Sequence, residues 1–210
     1  ETLPLNHVVL VGRSSSHFSR VARIFALELG VPHAFRPLLD LTSLAAADYG
    51  TNPALKIPVL VDERGPLFGT ENICRELARR SGQASRVVLR GGANARVVDN
   101  AEELVVHAMA SEVAIIMATV AGEPRLAPPK VSRSLENCLR HLDETVDAVV
   151  DALPPDRALS FVEAALFCLV THLPFRRVLD VSEWTRLGEF CARFGEREAA
   201  RATTYRFDAA

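Results

Sequence analysis

The chain has 210 residues, of which 49% are hydrophobic, and its formal net charge is -2. This length is enough for one large hydrophobic core or two modest ones, and the lack of a basic excess disfavours a nucleic-acid partner. The longest strongly apolar run, residues 164–170, is far shorter than the roughly 20 residues that a membrane-spanning helix needs, so we expect no membrane association.

The first eighty residues alternate strand-like and helix-like patterns, which predicts a small α/β unit. Residues 8–11 form a short β-branched run, and residues 21–29 carry helical spacing that stops at Gly30. Residues 34–37 are the second predicted strand, and residues 41–49 an irregular helical stretch. Two further strands at residues 59–61 and 67–68 are separated by a turn at residues 63–65. We expect Thr70 to cap a helix that reaches Arg80.

A proline stands at the start of the third predicted strand. Proline cannot donate a hydrogen bond to a sheet, so Pro58 must lie at a strand start or edge, and the Ile57–Pro58 bond is a candidate cis peptide. A cis bond here would turn the backbone of Ile57 outward, where its N–H and C=O could pair with an extended, peptide-like ligand. The pattern therefore indicates a small peptidic ligand.

The rest of the chain is predicted to be helical. A glycine-rich segment, residues 82–94, separates it from the α/β unit. Residues 95–121 are apolar nearly all round and predict a buried helix, whereas residues 131–153 carry one clean apolar stripe. The sequence Ser160-Phe161-Val162-Glu163 is a capping box that opens a helix to about Leu173, and two shorter helices follow near residues 184–194 and 196–203.

Four cysteines are widely spaced, with no C-x-x-C pair, and the six histidines show no metal-ligand spacing, so we expect neither a zinc site nor a dithiol centre. The chain begins at Glu1 with no charged-then-apolar leader. We therefore expect a cytoplasmic protein with reduced thiols and no metal.

Four segments, in this order and at this spacing, resemble a cytosolic glutathione transferase of bacterial type with a serine-type first loop. They are residues 12–30, the Asn-Pro to Ile-Pro-Val-Leu stretch at 52–60, residues 67–73 and the box at 160–163. The resemblance implies a thioredoxin-like α/β domain at residues 1–81, a linker at 82–94 and an all-helical bundle domain at 95–210.

The resemblance also implies a catalytic serine in the first loop. In serine-type members a hydroxyl at this place holds the sulfur of glutathione as a thiolate, and the matching residue is Ser16. A free thiol has a pKa near 8.5, so a hydroxyl donor and a helix N-terminus both favour its reactive form. The alternative is that Ser16 only caps the helix, with Ser14 and Ser15 as other candidates for the thiol contact.

Other residues implied by the resemblance would bind the peptide part of glutathione. Ile57, before Pro58, would pair its backbone with the cysteinyl unit, and Lys56 would meet the glycyl carboxylate. Alternatively, Pro58 is only a structural turn and Lys56 a solvated surface lysine.

The γ-glutamyl end of glutathione would bind at the residues that match the start of the family's third helix, which are Gly69 and Thr70. Thr70 keeps a hydroxyl there, but Gly69 stands where the family has an acidic residue or glutamine. Glu71 would have to turn toward the γ-glutamyl ammonium to replace that carboxylate.

The electrophile pocket of the family lies between the domains. Here it would be lined by Phe18, His107 and Ser111 and by the tail around Tyr205 and Phe207. The alternative is that His107 and Ser111 make ordinary interhelical hydrogen bonds.

The resemblance implies a homodimeric glutathione transferase, with glutathione as co-substrate, that conjugates the thiolate to small hydrophobic electrophiles. One alternative is a non-catalytic dimerisation or binding module whose glutathione site is degraded. Another is a different glutathione-dependent enzyme, an isomerase or a dehalogenase.

Overall fold

The computed structural model describes residues 8–122 and 128–209. It contains a four-stranded sheet with two helices, followed by a bundle of helices, which confirms the predicted fold class. The elements in chain order are β1 (Val9–Gly12), α1 (His17–Glu28), β2 (Ala34–Pro37), β3 (Val59–Asp62), β4 (Gly65–Phe68), α2 (Thr70–Ser81), β5 (Val87–Val88), α3 (Arg96–Val120), α4 (Pro129–Asp151), β6 (Leu159–Ser160), α5 (Phe161–Phe175), α6 (Thr185–Gly195) and α7 (Glu198–Ala202).

The sheet has the strand order β2-β1-β3-β4, with β1 and β2 parallel and the other two pairs antiparallel. Helices α1 and α2 pack against one another and against the sheet. Leu10 and Leu60 lie opposite each other on adjacent strands and are buried with Phe25 of α1 and Leu77 of α2. This core fixes the amino-terminal domain, because burying each large apolar side chain contributes roughly 1.5–3 kcal/mol.

The predicted strands agree with the structure to within two residues, but two helical predictions are wrong. Within residues 41–49 only a 3-10 turn, Ala46–Tyr49, is helical. Thr70 does not cap α2: it is the first helical residue, and Gly69 occupies the cap with no side-chain hydrogen bond. The helix begins one residue earlier than predicted because Gly69 has a φ of 88°, which glycine adopts far more readily than threonine does.

The glycine-rich segment after α2 is fastened to the helical part of the chain. Its two valines form β5, which pairs in parallel with β6 immediately before α5. Val87 and Val88 are buried, and Ala158 N–H donates to the Arg86 carbonyl at 2.7 Å. These contacts place the start of α5 next to the end of the amino-terminal domain.

Helix α5 is the centre of the helical part. Every residue from Phe161 to Val170 is buried, and the helix packs against α1, α3 and α6. The predicted capping box is confirmed: Ser160 Oγ accepts from Glu163 N–H at 3.2 Å and donates to Glu163 Oε2 at 2.6 Å. Helix α5 ends at Phe175, two residues past the predicted end at Leu173, with Pro174 in its last turn.

Helix α3 is less completely buried than its composition predicts. It packs on α4 and α5, but Val113, Met117 and Val120 near its carboxyl end are 38%, 41% and 61% exposed. By length and composition alone it would also be able to cross a membrane. Because Glu102 and Glu112 are buried on it against other parts of the chain, we interpret α3 as a core helix of the bundle.

Candidate functional site

Three segments singled out in the sequence meet at one edge of the sheet. Val11 of β1 lies opposite Val59 of β3, and Val59 lies opposite Phe68 of β4. Strand β1 ends at this edge, β3 begins there and β4 ends there. The register therefore brings together the first loop (residues 13–16), Ile57–Pro58 and Gly69–Thr70, which we call the site edge.

The first loop turns sharply because Gly12 has no side chain. A Cβ at this position would lie 2.5 Å from Ser19 Oγ, and that same oxygen accepts from Arg13 N–H at 3.2 Å. Only a glycine lets α1 approach β1 so closely. The loop is thereby held against the first turn of the helix.

Ser16 caps α1 and still has a hydroxyl hydrogen to donate. Its Oγ accepts from Ser19 N–H at 3.2 Å, as the alternative interpretation predicts. Within the part of the chain that the structure describes, no acceptor receives the Ser16 O–H, and the side chain is half-buried. Accepting one hydrogen bond and donating another are compatible roles for a hydroxyl, so the cap leaves Ser16 able to bind an anion.

Ser14 and Ser15 are buried and serve the structure of the loop. Ser14 N–H donates to Asp208 Oδ2 at 2.8 Å, and Ser14 Oγ accepts from Arg23 at 3.4 Å. The Ser15 carbonyl accepts from His172 Nε2 at 2.8 Å. Of the three serines, Ser16 is the most exposed to a ligand at the site edge.

The Ile57–Pro58 peptide bond is cis, as expected, and the segment before it is held by an asparagine. Asn52 Nδ2 donates to the Lys56 carbonyl at 2.8 Å, and Asn52 Oδ1 accepts from Ala54 N–H at 3.0 Å. Pro58 is buried, Ile57 is half-buried and the Lys56 side chain is exposed. The segment thus presents the Ile57 backbone beside the sheet and leaves the Lys56 ammonium in solvent.

At the start of α2, Thr70 is half-buried with its N–H in the first turn of the helix, where unpaired N–H groups attract anions. Glu71 does not turn toward the site edge, since its Oε1 accepts from Arg75 at 2.7 Å, one turn further along the helix. The carboxylate that Gly69 lacks is therefore not replaced by Glu71.

The residues predicted to line an electrophile pocket are split between the first loop and the contact of α3 with α4. Phe18 lies next to the first loop, with its ring 4.7 Å from that of His17. His107 is exposed on α3, where its Nε2 lies 2.8 Å from Ser134 Oγ of α4 and 3.4 Å from Ser111 Oγ. Residues 107 and 112 are about 140° apart around a helix, so His107 faces away from His17 and His172, which Glu112 contacts.

The end of the chain folds back over the first loop. Arg20 is buried with its guanidinium 4.3 Å from the Tyr205 ring and 4.7 Å from the Phe167 ring, and it donates to the Ala200 carbonyl at 3.0 Å. Tyr205 O–H donates to the Cys168 carbonyl at 2.7 Å. Further along, Phe207 is 62% exposed. This aromatic tail therefore packs on α1 and α5, and Asp208 bonds it to the first loop.

A buried polar cluster, which the sequence analysis did not identify, joins the loop to the helical part. His17 of α1, Glu112 of α3 and His172 of α5 are 1%, 0% and 3% exposed. His172 Nδ1 lies 2.8 Å from Glu112 Oε1, and His17 Nδ1 lies 2.9 Å from Glu112 Oε2. Their ligand atoms lie close enough together to hold a metal ion.

The charges of this cluster depend on one another. Burial lowers the pKa of His17, although the carboxylate of Glu112 opposes that change. Burial alone would raise the pKa of Glu112, but its contacts with the two imidazoles hold that pKa below its ordinary value. Glu112 is therefore an ionised carboxylate in the interior.

None of the four cysteines is suited to nucleophilic chemistry. Burial raises the pKa of Cys168 and of Cys191 to about 12 and raises those of Cys74 and Cys138 as well. A thiol is a poor nucleophile until it ionises. The groups at the site edge that can act on a ligand are therefore hydroxyls and backbone N–H groups.

The architecture agrees with that of known proteins. Residues 10–85 match the family model of the glutathione S-transferase N-terminal domain. Between 95% and 97% of the chain superposes on solved glutathione transferases. The fold is that of the glutathione transferases.

Two bacterial members of this fold illustrate the likeness. A glutathione S-transferase from Methylobacillus flagellatus KT, solved with glutathione bound, has a TM-score of 0.75 and 21% identity, over 95% of this chain and 100% of that one. One from Methylobacterium radiotolerans JCM 2831, in complex with glutathione sulfonate, has a TM-score of 0.77 and 17% identity, over 97% of both chains.

A plant protein of the same fold is similar over nearly the same length. The Tau class transferase of mango, Mangifera indica, has a TM-score of 0.71 and 16% identity, over 95% of this chain and 93% of that one. None of the curated proteins matches the chain in sequence. At these identities the likeness establishes the fold, and function must be argued from the site.

Proposed function

We propose that the protein is a cytoplasmic, bacterial-type glutathione transferase with a serine-type first loop. It would conjugate the thiolate of glutathione to small hydrophobic electrophiles. The observation that carries the proposal is the site edge: a partly exposed Ser16 hydroxyl at the start of α1, with Ile57 and Thr70 beside it by strand register. The family-model match over residues 10–85 and the glutathione named with two structural neighbours support it.

Ser16 is the proposed catalytic residue. Its hydroxyl hydrogen would donate to the sulfur of glutathione, while its oxygen keeps the helix cap. The first N–H groups of α1 add positive potential at the same point. Together they favour the thiolate, which is the nucleophile that attacks the electrophile.

The peptide part of glutathione would lie along the site edge. The backbone of Ile57, next to Pro58, would pair with the cysteinyl unit as a sheet edge pairs with a peptide. Lys56 is exposed and free to meet the glycyl carboxylate. The γ-glutamyl carboxylate would bind at the hydroxyl of Thr70 and the first N–H groups of α2.

In this proposal the electrophile binds between Phe18 and the aromatic tail. Tyr205 and Phe207 form the opposite wall, and Phe207 is exposed enough to contact a bound molecule. We assign His107 and Ser111 to the contact between α3 and α4, because both lie within hydrogen-bond distance there. Glu71 is paired with Arg75, so we assign it no direct contact with glutathione.

The proposed functional unit is a homodimer. Two exposed apolar surfaces support it: Val113, Met117 and Val120 on α3, and Leu41 and Leu44 in the loop before the 3-10 turn, where Leu44 is 86% exposed. A monomer that left both surfaces in water would carry apolar patches of the kind that mark protein interfaces.

Kinetics of serine variants test the role of Ser16. Ser16→Ala removes both the thiol contact and the cap, whereas Ser16→Asp keeps a good cap but offers no hydroxyl donor once it is ionised. We expect both variants to lower kcat/KM for conjugation by about 100-fold, an effect of roughly 2.7 kcal/mol. Ser14→Ala, in the same loop, should retain most of the activity.

Thermal unfolding of the same variants separates catalysis from capping. Ser16→Ala should lose about 1 kcal/mol of stability, and Ser16→Asp should lose less. If Ser16→Asp were fully active while Ser16→Ala was not, the hydroxyl would serve as a cap and not as a thiolate donor. Equal losses in Ser14→Ala and Ser16→Ala would contradict the choice of Ser16.

A second candidate function is a non-catalytic module that keeps the fold for dimerisation. Gly69, with no side chain, and Glu71, paired with Arg75, favour it because the γ-glutamyl ammonium then lacks a carboxylate partner. Losing such a charge-assisted bond costs roughly 1.5–3 kcal/mol of binding. This alternative predicts no conjugation of any electrophile, together with an intact dimer.

A further inference from the structure

Three side chains from three different helices converge on one buried point next to the first loop. His172 Nδ1 lies 3.0 Å from His17 Nδ1 and 2.8 Å from Glu112 Oε1, and His17 Nδ1 lies 2.9 Å from Glu112 Oε2. The proposed glutathione chemistry uses none of them. Their nearly complete burial means that water does not compensate the charges of the cluster.

The Ser15 carbonyl fixes the position of one proton in the cluster. His172 Nε2 is 2.8 Å from the Ser15 carbonyl, which can only accept, so this nitrogen carries a proton. In a neutral His172, Nδ1 is then a lone pair that faces both a carboxylate oxygen and the other imidazole. A positive charge at the centre of the cluster would balance the carboxylate and the lone pair together.

Protons alone do not complete the arrangement. A second proton on His172 can serve Glu112 Oε1, but Glu112 Oε2 still has no hydrogen-bond partner among the described residues. His17 Nδ1 lies 2.9 Å from that oxygen and 3.0 Å from His172 Nδ1, and a single proton on this nitrogen cannot serve both. A cation among the two Nδ1 atoms and the carboxylate would satisfy all three groups together, which a buried site otherwise lacks the water to do.

We infer that His17, Glu112 and His172 form a binding site for one divalent transition-metal ion. Two imidazole nitrogens and one carboxylate are a donor set that suits iron, manganese, cobalt, nickel and zinc. The Ser15 carbonyl fixes the tautomer of His172, as outer partners of metal-binding histidines do.

The spacing favours an octahedral arrangement over a tetrahedral one. Two Nδ1 atoms 3.0 Å apart subtend about 90° at an ion bound at about 2.1 Å, whereas tetrahedral geometry needs a separation of about 3.4 Å. Each carboxylate oxygen is near one imidazole, so Glu112 can bind through both oxygens. Iron(II), manganese(II), cobalt(II) and nickel(II) fit this geometry better than four-coordinate zinc.

The ion would tie the first loop to the helical part of the chain. His17 and the Ser15 carbonyl belong to the segment that carries Ser16, while Glu112 and His172 belong to α3 and α5. Metal binding would therefore stabilise the packing of the two parts, because an ion that binds only the folded state raises its stability. The site neither requires glutathione nor depends on the proposed transferase activity.

Cobalt binding to the full chain tests the inference. After treatment with a chelator and its removal, the protein is titrated with Co²⁺ while its visible absorption and thermal unfolding are recorded. We expect one ion per chain, weak absorption bands of a high-coordinate site and a midpoint of unfolding that rises with Co²⁺ concentration. No saturable binding, or the intense bands of a four-coordinate site, would overturn the inference as stated.

Variants locate the ion. Glu112→Gln and His172→Gln should weaken Co²⁺ binding by about 100-fold or more, since removing even an outer partner of a metal ligand costs 10- to 100-fold. His107→Gln, on the exposed side of the same helix, should bind Co²⁺ as the unmodified protein does. Unchanged affinity in the first two variants, or equal loss in the third, would contradict the assignment.

One further measurement keeps the inference testable if those variants do not fold. Paramagnetic NMR of the unmodified protein with Co²⁺ should show ring protons of two histidines shifted far outside the normal range. Their absence at saturating Co²⁺ would overturn the site, whatever the glutathione experiments show.

Discussion

Gly69 illustrates how one residue can have two explanations. Its missing carboxylate argues against tight glutathione binding, but its backbone has a φ of 88° and a ψ of 129°, which side-chain-bearing residues rarely adopt. Space is not the constraint, since an added Cβ would meet only Asn72 Nδ2, at 3.6 Å. The glycine is thus required by the turn into α2, independently of any ligand.

Replacing glycines tests this explanation. Gly69→Ala should lower the free energy of unfolding by about 1 kcal/mol or more, because alanine is strained at positive φ. Gly188→Ala, inside α6 with no neighbour within 4 Å of the added Cβ, should instead raise it by about 0.5–1 kcal/mol. Urea denaturation measures both, and an unchanged or increased stability in Gly69→Ala would show that the conformation exerts no constraint.

At the scale of residues, sequence reasoning found what local patterns contain. Ser16 stands where a strand gives way to a helix, and Pro58 where a strand begins, so both could be placed from their neighbours alone. The partners His17 and His172 are 155 positions apart, and only the tertiary fold brings them together. One signal was available: Glu112 follows Val105 and Met109 on the buried face of α3, where a carboxylate needs a partner.

At the scale of elements, the sequence specifies where α5 begins. Its capping box is reinforced by Arg157, which donates to both oxygens of Glu163 at 2.7 and 2.8 Å. Burial alone would raise the pKa of Glu163, but the hydrogen bonds from Arg157 and Ser160 hold that pKa below its ordinary value. The ionised carboxylate is therefore the form that stabilises the fold.

The sign of this pKa shift predicts a pH dependence. A carboxyl whose pKa is lower in the folded state contributes stability above its unfolded pKa and loses it as the pH falls. Glu163→Gln should cost about 2 kcal/mol at neutral pH, and the difference from the unmodified protein should shrink below about pH 4. Urea denaturation at the two pH values measures it.

A surface ion pair provides the control for this measurement. Glu136 pairs with Arg133 in the open, with side chains 36% and 71% exposed, so Glu136→Gln should change stability by less than about 1 kcal/mol at either pH. A Glu163→Gln effect that stayed constant with pH would contradict the depressed pKa.

Helix α3 marks the limit of reasoning from periodicity. Apolar residues on both of its faces predicted burial all round, yet only the face with Val105, Met109 and Glu112 is covered within the described residues. Periodicity shows which residues avoid water, but it does not show what covers them. Periodicity therefore gives no information about whether a second copy of the chain covers the exposed apolar face.

On the scale of the whole molecule, the apolar carboxyl end of α3 predicts association. Met117→Glu would place a charge in the proposed interface, and we expect it to convert a dimer into a monomer, since an unpaired charge in such an interface is strongly unfavourable. Leu27→Glu introduces the same charge at a residue of α1 that is 42% exposed, and it should leave the dimer intact. Light scattering after gel filtration measures the mass, and a monomer before any substitution would refute the homodimer.

The two parts of the molecule depend on each other at the first loop. His172 and Asp208 hold the backbone of Ser15 and Ser14 from the helical side, while Gly12 lets α1 approach the sheet from the other. The order of helices was predictable from the sequence, but the contacts of His172 and Asp208 with the loop were not, because each joins residues more than 150 positions apart. The central claim is that the loop they hold in place binds glutathione through Ser16.

Calorimetric titration of the full chain with glutathione tests that claim most directly. We predict saturable binding of one glutathione per chain. The unmodified protein should bind S-methylglutathione, which cannot form a thiolate, more weakly than glutathione, whereas Ser16→Asp should bind the two equally. No heat of binding at millimolar glutathione would contradict the account.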